Sequence, residues 1–171
     1  MKRTAGSIHR ARSAAAAVLF AGALAFVRGP ALAAPHSGDT AAAFSLPKAG
    51  GGTLSLAQYK GKPLYLNFFA SWCGPCNSEA KSVSDLYRKY HPRGLATIGV
   101  NEQEDKSKAL GFAQKYKWRF AVALDDGDMG KQYGAIGLPV HIFIDRRGTI
   151  STYRLGEMQP NEIEDAIKKI L

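Results

Sequence analysis

Two cysteines are all that this chain of 171 residues contains, and they stand as Cys73-Gly74-Pro75-Cys76. Thiols at that spacing can close a disulfide on each other, so the pair can cycle between two redox states. A zinc site would want four ligands, yet there is no second cysteine pair, and His9, His36, His91 and His141 show no ligand spacing. A bridge serving stability alone gains little by closing so short a loop. The spacing therefore favours redox chemistry, with no metal and no cofactor beyond the pair itself.

The elements around the cysteines must place them. The nearly continuous apolar run Leu64 to Phe69 reads as a central strand covered on both faces. A helical pattern runs from Asn77 to Tyr90, with Val83, Leu86, Tyr87 and Tyr90 on one side, and His91-Pro92-Arg93-Gly94 stops it. Cys73 thus falls near a helix N-terminus, where unpaired N–H groups and the helix dipole favour a thiolate. Ala96 to Val100 is a second strand, and the strand–helix–strand unit requires a right-handed crossover between parallel strands.

Upstream, Phe44-Ser45-Leu46 and Thr53 to Leu56 flank Gly50-Gly51-Gly52 and predict a small hairpin. Downstream, an extra helical segment spans 106–117, Phe120 to Leu124 is a third strand, and Met129 to Tyr133 is a short helix. Val140 to Ile144 and Thr149 to Leu155 flank Asp145-Arg146-Arg147-Gly148 as a late hairpin. Pro160 opens a last helix carrying Ile163, Ala166, Ile167 and Ile170 on one face, and Trp118 is expected in the core. The order is mixed α/β.

Residues 1–33 read as an address, not as fold. Lys2, Arg3, Arg10 and Arg12 precede the uncharged run Ala14 to Val27, and Ala31-Leu32-Ala33 has a small-x-small cleavage pattern. The run is shorter than the roughly 20 residues that span a bilayer, which favours a cleaved secretory signal; Arg28 keeps an uncleaved membrane anchor as the alternative. Residues 34–42 are expected to be a flexible lead-in, and 43–171 the folded domain. The formal charge of +9 shrinks once the address is removed, because it holds five of the 23 basic residues and no acid. The remaining 18 basic and 14 acidic residues give +4 with alternating signs, which suits a solvated surface and lends no support to nucleic-acid binding.

Asn67-Phe68-Phe69-Ala70-Ser71-Trp72-Cys73-Gly74-Pro75-Cys76, Glu79, and Gly137-Leu138-Pro139 leading into Val140 to Asp145 resemble the thioredoxin fold, and within it the exported thiol-disulfide oxidoreductases of the TlpA/ResA type. The likeness covers about residues 43–171, and the leading hairpin and inserted helical segment suit this branch. It implies a central mixed sheet with flanking helices. It further implies that Pro139 is a cis-proline facing the cysteines, with the Leu138 backbone presented to an extended peptide. Asn67 takes the place of the buried aspartate of thioredoxins and cannot ionise. Two departures stand out: Lys81 replaces a common proline, and Val140 and His141 replace two common threonines.

Cys73 is read as the attacking thiol, the more exposed of the pair, and Cys76 as the resolving one. Trp72, Gly74 and Pro75 would tune the pair or meet partners. Glu79 is the nearest carboxylate for proton transfer, though its first-turn position suits a solvent-facing residue. His141, alternating with Val140 and Ile142, reads as a packed or surface histidine. The function expected is reduction of disulfides in other exported, periplasmic proteins, the resemblance implying apocytochrome c or copper-site proteins, by a monomer reset through a membrane thiol donor. The alternatives are a Cu(I) chaperone using the cysteines, a thiol oxidase, and a peroxidase, although Ala70 stands where peroxidases carry threonine.

Overall fold

The computed structural model describes residues 34–171, so the expected signal at 1–33 lies outside the described residues. Among the described residues, a short antiparallel hairpin comes first, β1 (Ser45–Pro47) with β2 (Thr53–Ser55). A five-stranded sheet is built from β3 (Leu64–Phe69), β4 (Ala96–Glu102), β5 (Ala121–Asp125), β6 (Val140–Ile144) and β7 (Ile150–Leu155). Its order is β5-β4-β3-β6-β7. The first three of these strands are parallel, while β6 runs antiparallel to β3 and β7 antiparallel to β6. This is a mixed α/β thioredoxin fold with β3 at its centre.

All six residues of β3 are buried, as a central strand requires. Alternation divides them between two cores. Leu64, Leu66 and Phe68 join Ile98, Val100, Val140, Ile142 and Met129 on one face. Tyr65 and Phe69 face the other, where the helices α1 (Gly74–Tyr90) and α4 (Pro160–Ile170) pack. Ile163, Ile167 and Ile170 of α4 are each at most 3% exposed, which contributes about 1.5–3 kcal/mol per side chain. Glu162 accepts the Gln159 N–H at 2.8 Å and so closes the start of α4, where Pro160 gives up no hydrogen bond.

The inserted segment forms α2 (Lys106–Lys115), and Trp118 behind it is buried against β4. Gly99 permits this contact, since a Cβ there would lie 2.6 Å from the indole. The short helix α3 (Asp128–Gln132) begins one residue earlier than the pattern predicted. The major difference concerns α1, which starts at Gly74 rather than Asn77, so that Pro75 and Cys76 lie within its first turn.

Residues 34–42, expected as a flexible lead-in, are held by backbone hydrogen bonds. Gly38 donates to Ile150 O, Ala41 to Gly148 O, and Ile150 back to Asp39 O, at 2.8–2.9 Å. The segment therefore continues the sheet edge at β7. No helix among the described residues is long and apolar enough to cross a membrane.

Candidate active site

Cys73 is the N-cap residue of α1, with an extended backbone, and it closes a disulfide with Cys76. Its Sγ accepts the Cys76 N–H at 3.2 Å. The first-turn N–H groups of α1 have no partners within the helix, and Pro75 has no N–H to satisfy. A sulfur at this cap is placed to be stabilised as a thiolate once the bridge opens. The expected difference in exposure is not found: Cys73 is 4% and Cys76 2% exposed. Position at the cap, not exposure, distinguishes the two. Trp72 stands clear of the core at 71% exposure.

The turn carrying the cysteines is held from the end of β4, the loop that follows it, and the inserted segment. Ser71 donates its N–H and its hydroxyl to Glu104, at 2.7 and 2.6 Å, and Asn101 donates to the same carboxylate at 2.8 Å. Burial pushes the Glu104 carboxyl up, but these hydrogen bonds outweigh it and hold the group below its ordinary range. Asn77 donates to Ser71 O and Cys73 O at 3.0 and 2.8 Å, and its own Oδ1 accepts from Tyr116 and Lys115. Sequence reading assigns none of Glu104, Asn77 and Tyr116 to the site. They lie up to 39 residues from their partners, and no local pattern announces such pairs.

A polar cluster lies on the helix face of the sheet. Asn67, 2% exposed, donates to Glu79 Oε1 at 3.2 Å, and the Met158 N–H donates to Glu79 Oε2 at 3.2 Å. Glu79 is therefore 5% exposed, which corrects the expectation of a solvent-facing first-turn residue. The reason is register: Glu79 follows Cys76 by one turn, so it shares the face that α1 turns toward the sheet. His141 is fully buried; its Nδ1 lies 2.7 Å from the Tyr65 hydroxyl and its Nε2 3.3 Å from Glu79 Oε2. Burial, with the Glu79 charge in addition, pushes the Tyr65 hydroxyl well above its ordinary value, although the Asn67 hydrogen bond acts the other way. Sequence reading gives Tyr65 a place in a strand and His141 that of a packed or surface histidine; in the register of β3 against β6, Tyr65 lies opposite Phe143 and diagonal to His141, within reach of its ring.

The Leu138–Pro139 peptide bond is cis. Pro139 enters β6, and Leu138 is half-buried at the edge of a groove lined also by Trp72, Glu102, Ala135, Ile136 and Gly137. Ile136 is 90% exposed. Lys81, at the family's usual proline, is exposed and pairs with Asp85 at 2.7 Å. Among the described residues no three His, Cys, Asp or Glu side chains form a group that could hold a metal ion.

The chain is 35% identical over 121 residues to the thiol-disulfide oxidoreductase ResA of Bacillus thuringiensis subsp. konkukian, covering 70% of each. It is 31% identical over 134 residues to the ResA of Geobacillus thermodenitrificans, covering 78% of this chain and 77% of that one. Among solved structures it is similar to a secreted Mycobacterium tuberculosis disulfide oxidoreductase homologous to the DsbE of E. coli. That match has a TM-score of 0.68 and 25% identity, over 74% of this chain and 95% of the other. The profile of the AhpC/TSA family matches residues 37–153, more than half of the chain. With a Cys-x-x-Cys disulfide at the head of α1, the chain belongs to the AhpC/TSA family of thioredoxin-like proteins and is a thiol-disulfide oxidoreductase.

Proposed function

We propose that this oxidoreductase is exported and reduces disulfides in other exported proteins, with Cys73 as nucleophile and Cys76 as resolving thiol. One observation supports the assignment above the others: the Cys73 sulfur caps α1, while Cys76 lies inside the first turn. The Cys73 thiolate attacks one sulfur of the substrate disulfide, and the other sulfur leaves as a thiolate that takes a proton from water. Cys76 then loses its proton to Glu79 and attacks Cys73 Sγ. The bond from Cys73 to the substrate breaks, the Cys73–Cys76 bond forms, and the second substrate sulfur leaves reduced. Two electrons have passed to the substrate. A membrane-embedded dithiol donor resets the pair. The cleavage pattern at Ala31-Leu32-Ala33 supports export, and apocytochrome c or copper-site proteins are the substrate class.

Exposed Trp72 and Ile136, which line one groove with Leu138, supply an apolar contact surface for an extended substrate segment. Titration of the pair against glutathione and dithiothreitol couples tests the direction of electron flow. The Gly-Pro spacer leads us to expect a midpoint near the −270 mV or so of thioredoxin. A midpoint near the −120 mV or so of DsbA, with fast oxidation of a reduced unfolded protein, would make this protein an oxidase. Mass spectrometry of the protein from its host is expected to find a mature start near Ala34 or Pro35.

A further inference from the structure

His141 is the one histidine among the described residues that is wholly buried, and the cysteine chemistry just described leaves it without a part. Its surroundings determine its tautomer. Two groups meet Nδ1: the Tyr65 hydroxyl at 2.7 Å and the Asn67 amide nitrogen at 3.4 Å. Tyr65 remains a phenol, because burial raises its hydroxyl well above the ordinary value. A neutral phenol can also accept, but the Asn67 amide nitrogen only donates, so we assign Nδ1 as the acceptor and the ring proton to Nε2. Nε2 makes no hydrogen bond in this closed-disulfide state, yet it stands 3.3 Å from Glu79 Oε2, close enough for an ion pair but not aligned. A buried N–H with spare capacity thus faces a carboxylate whose other contacts, Asn67 Nδ2 and the Met158 N–H, are also donors.

We propose that His141 is a positioning residue for disulfide exchange: with Nδ1 fixed by Tyr65, its Nε2–H, 3.3 Å from Glu79 but unaligned while the disulfide is closed, turns onto the carboxylate when the pair is open and holds it as the acceptor of the Cys76 proton. The proposal rests on the assignment of Cys76 as the resolving thiol and Glu79 as its base. No electron passes through His141. The proton goes from Cys76 Sγ to a Glu79 oxygen as the Cys73–Cys76 bond forms, and it is returned to solvent afterwards. The other charged groups on this side are Arg154, the register neighbour of His141 on β7, and Glu162 of α4. They pair with each other at 3.9 Å and lie half in solvent, so they screen each other more than they act on the cluster.

The reduced full-length protein, mixed with 5,5′-dithiobis(2-nitrobenzoate) in a stopped-flow instrument, separates the steps. Attack by Cys73 releases one thionitrobenzoate, and resolution by Cys76 releases the second. Removing the donor in His141→Phe is expected to slow the second phase about tenfold at neutral pH, the loss of one hydrogen bond to a charged group. It also moves the pH midpoint of that phase upward, since a carboxylate that loses a donor is harder to ionise. Tyr65→Phe, which removes only a hydroxyl, is expected to act in the same direction and more weakly, because the ring proton is then free to shift to Nδ1. The double variant should be no slower than His141→Phe, and His141→Gln, which keeps an N–H donor, should recover most of the rate. Two phases with unchanged pH midpoints in both Phe variants would overturn the proposal, as would equal slowing of both phases. If the parent protein itself shows no second release, the assignment of Cys76 has failed instead.

Discussion

Two buried glutamates, Glu79 of α1 and Glu102 of β4, have opposite surroundings. Glu79 is met only by donors: Asn67, the Met158 N–H and the Nε2 side of His141. Glu102, at the end of β4, is paired in register with Asp125 of β5, another acid, and its Oε1 has no partner. Asp125 already accepts the Met129 and Gly130 N–H groups at 3.1 and 2.7 Å. Burial, then the Asp125 charge, pushes the Glu102 carboxyl up to about 8, so it is protonated at neutral pH. The same side chain at similar depth meets only hydrogen-bond donors in one place and a second acid in the other. What surrounds a buried carboxylate, rather than its burial, decides its use.

The comparison breaks first at the sulfurs. Cys76→Ser should abolish repeated turnover and leave Cys73 joined to its substrate as a stable mixed disulfide. Trapping by Cys73→Ser instead would reverse the two roles and detach Glu79 from the chemistry. Next comes Glu79→Gln, which keeps the shape and removes the base. The second thiol release should slow by about a hundredfold, the low end of what a positioned proton acceptor contributes. The corresponding Glu102→Gln change should leave that rate where it was, and a comparable loss there would erase the contrast between the sites.

A smaller effect is expected at the groove that Glu102 lines. Trp72→Ala should lower kcat/KM toward a protein disulfide by roughly five- to tenfold, as loss of an interface aromatic does. Its stability should stay within about 0.5 kcal/mol, because the ring is 71% exposed. The smallest effect is thermal. The folded state holds the Glu102 proton up to about pH 8, whereas the unfolded chain releases it near the ordinary 4.5. Between those values the folded state binds more protons, so stability falls as pH rises, and the contribution is complete only below that window. Glu102→Gln, with no proton to lose, should unfold about 5 °C higher than the parent at pH 8.5 and at about the same temperature at pH 5. Parallel curves at both values would place the Glu102 carboxyl among ordinary, ionised acids.

By itself the sequence determines the order of the elements and the reactive pair, because both are written in short-range signals. The apolar run Leu64 to Phe69, the i, i+3, i+4, i+7 pattern after Cys76 and the turn at Asp145 to Gly148 each specify an element through neighbours a few residues apart. Cys-Gly-Pro-Cys carries its chemistry in four residues. The buried polar groups are another matter. Glu79, read from its position in the first turn, belonged in water; packing of α1 on the sheet turned it inward. His141 lies 76 residues from Tyr65 and 62 from Glu79, and it meets them only because β6 pairs antiparallel with β3 beneath that helix. Ser71 is likewise clamped by Glu104, 33 residues away. Local periodicity tells which side of an element is apolar. Which polar groups face each other in the interior depends on strand order and register, which the tertiary structure alone decides.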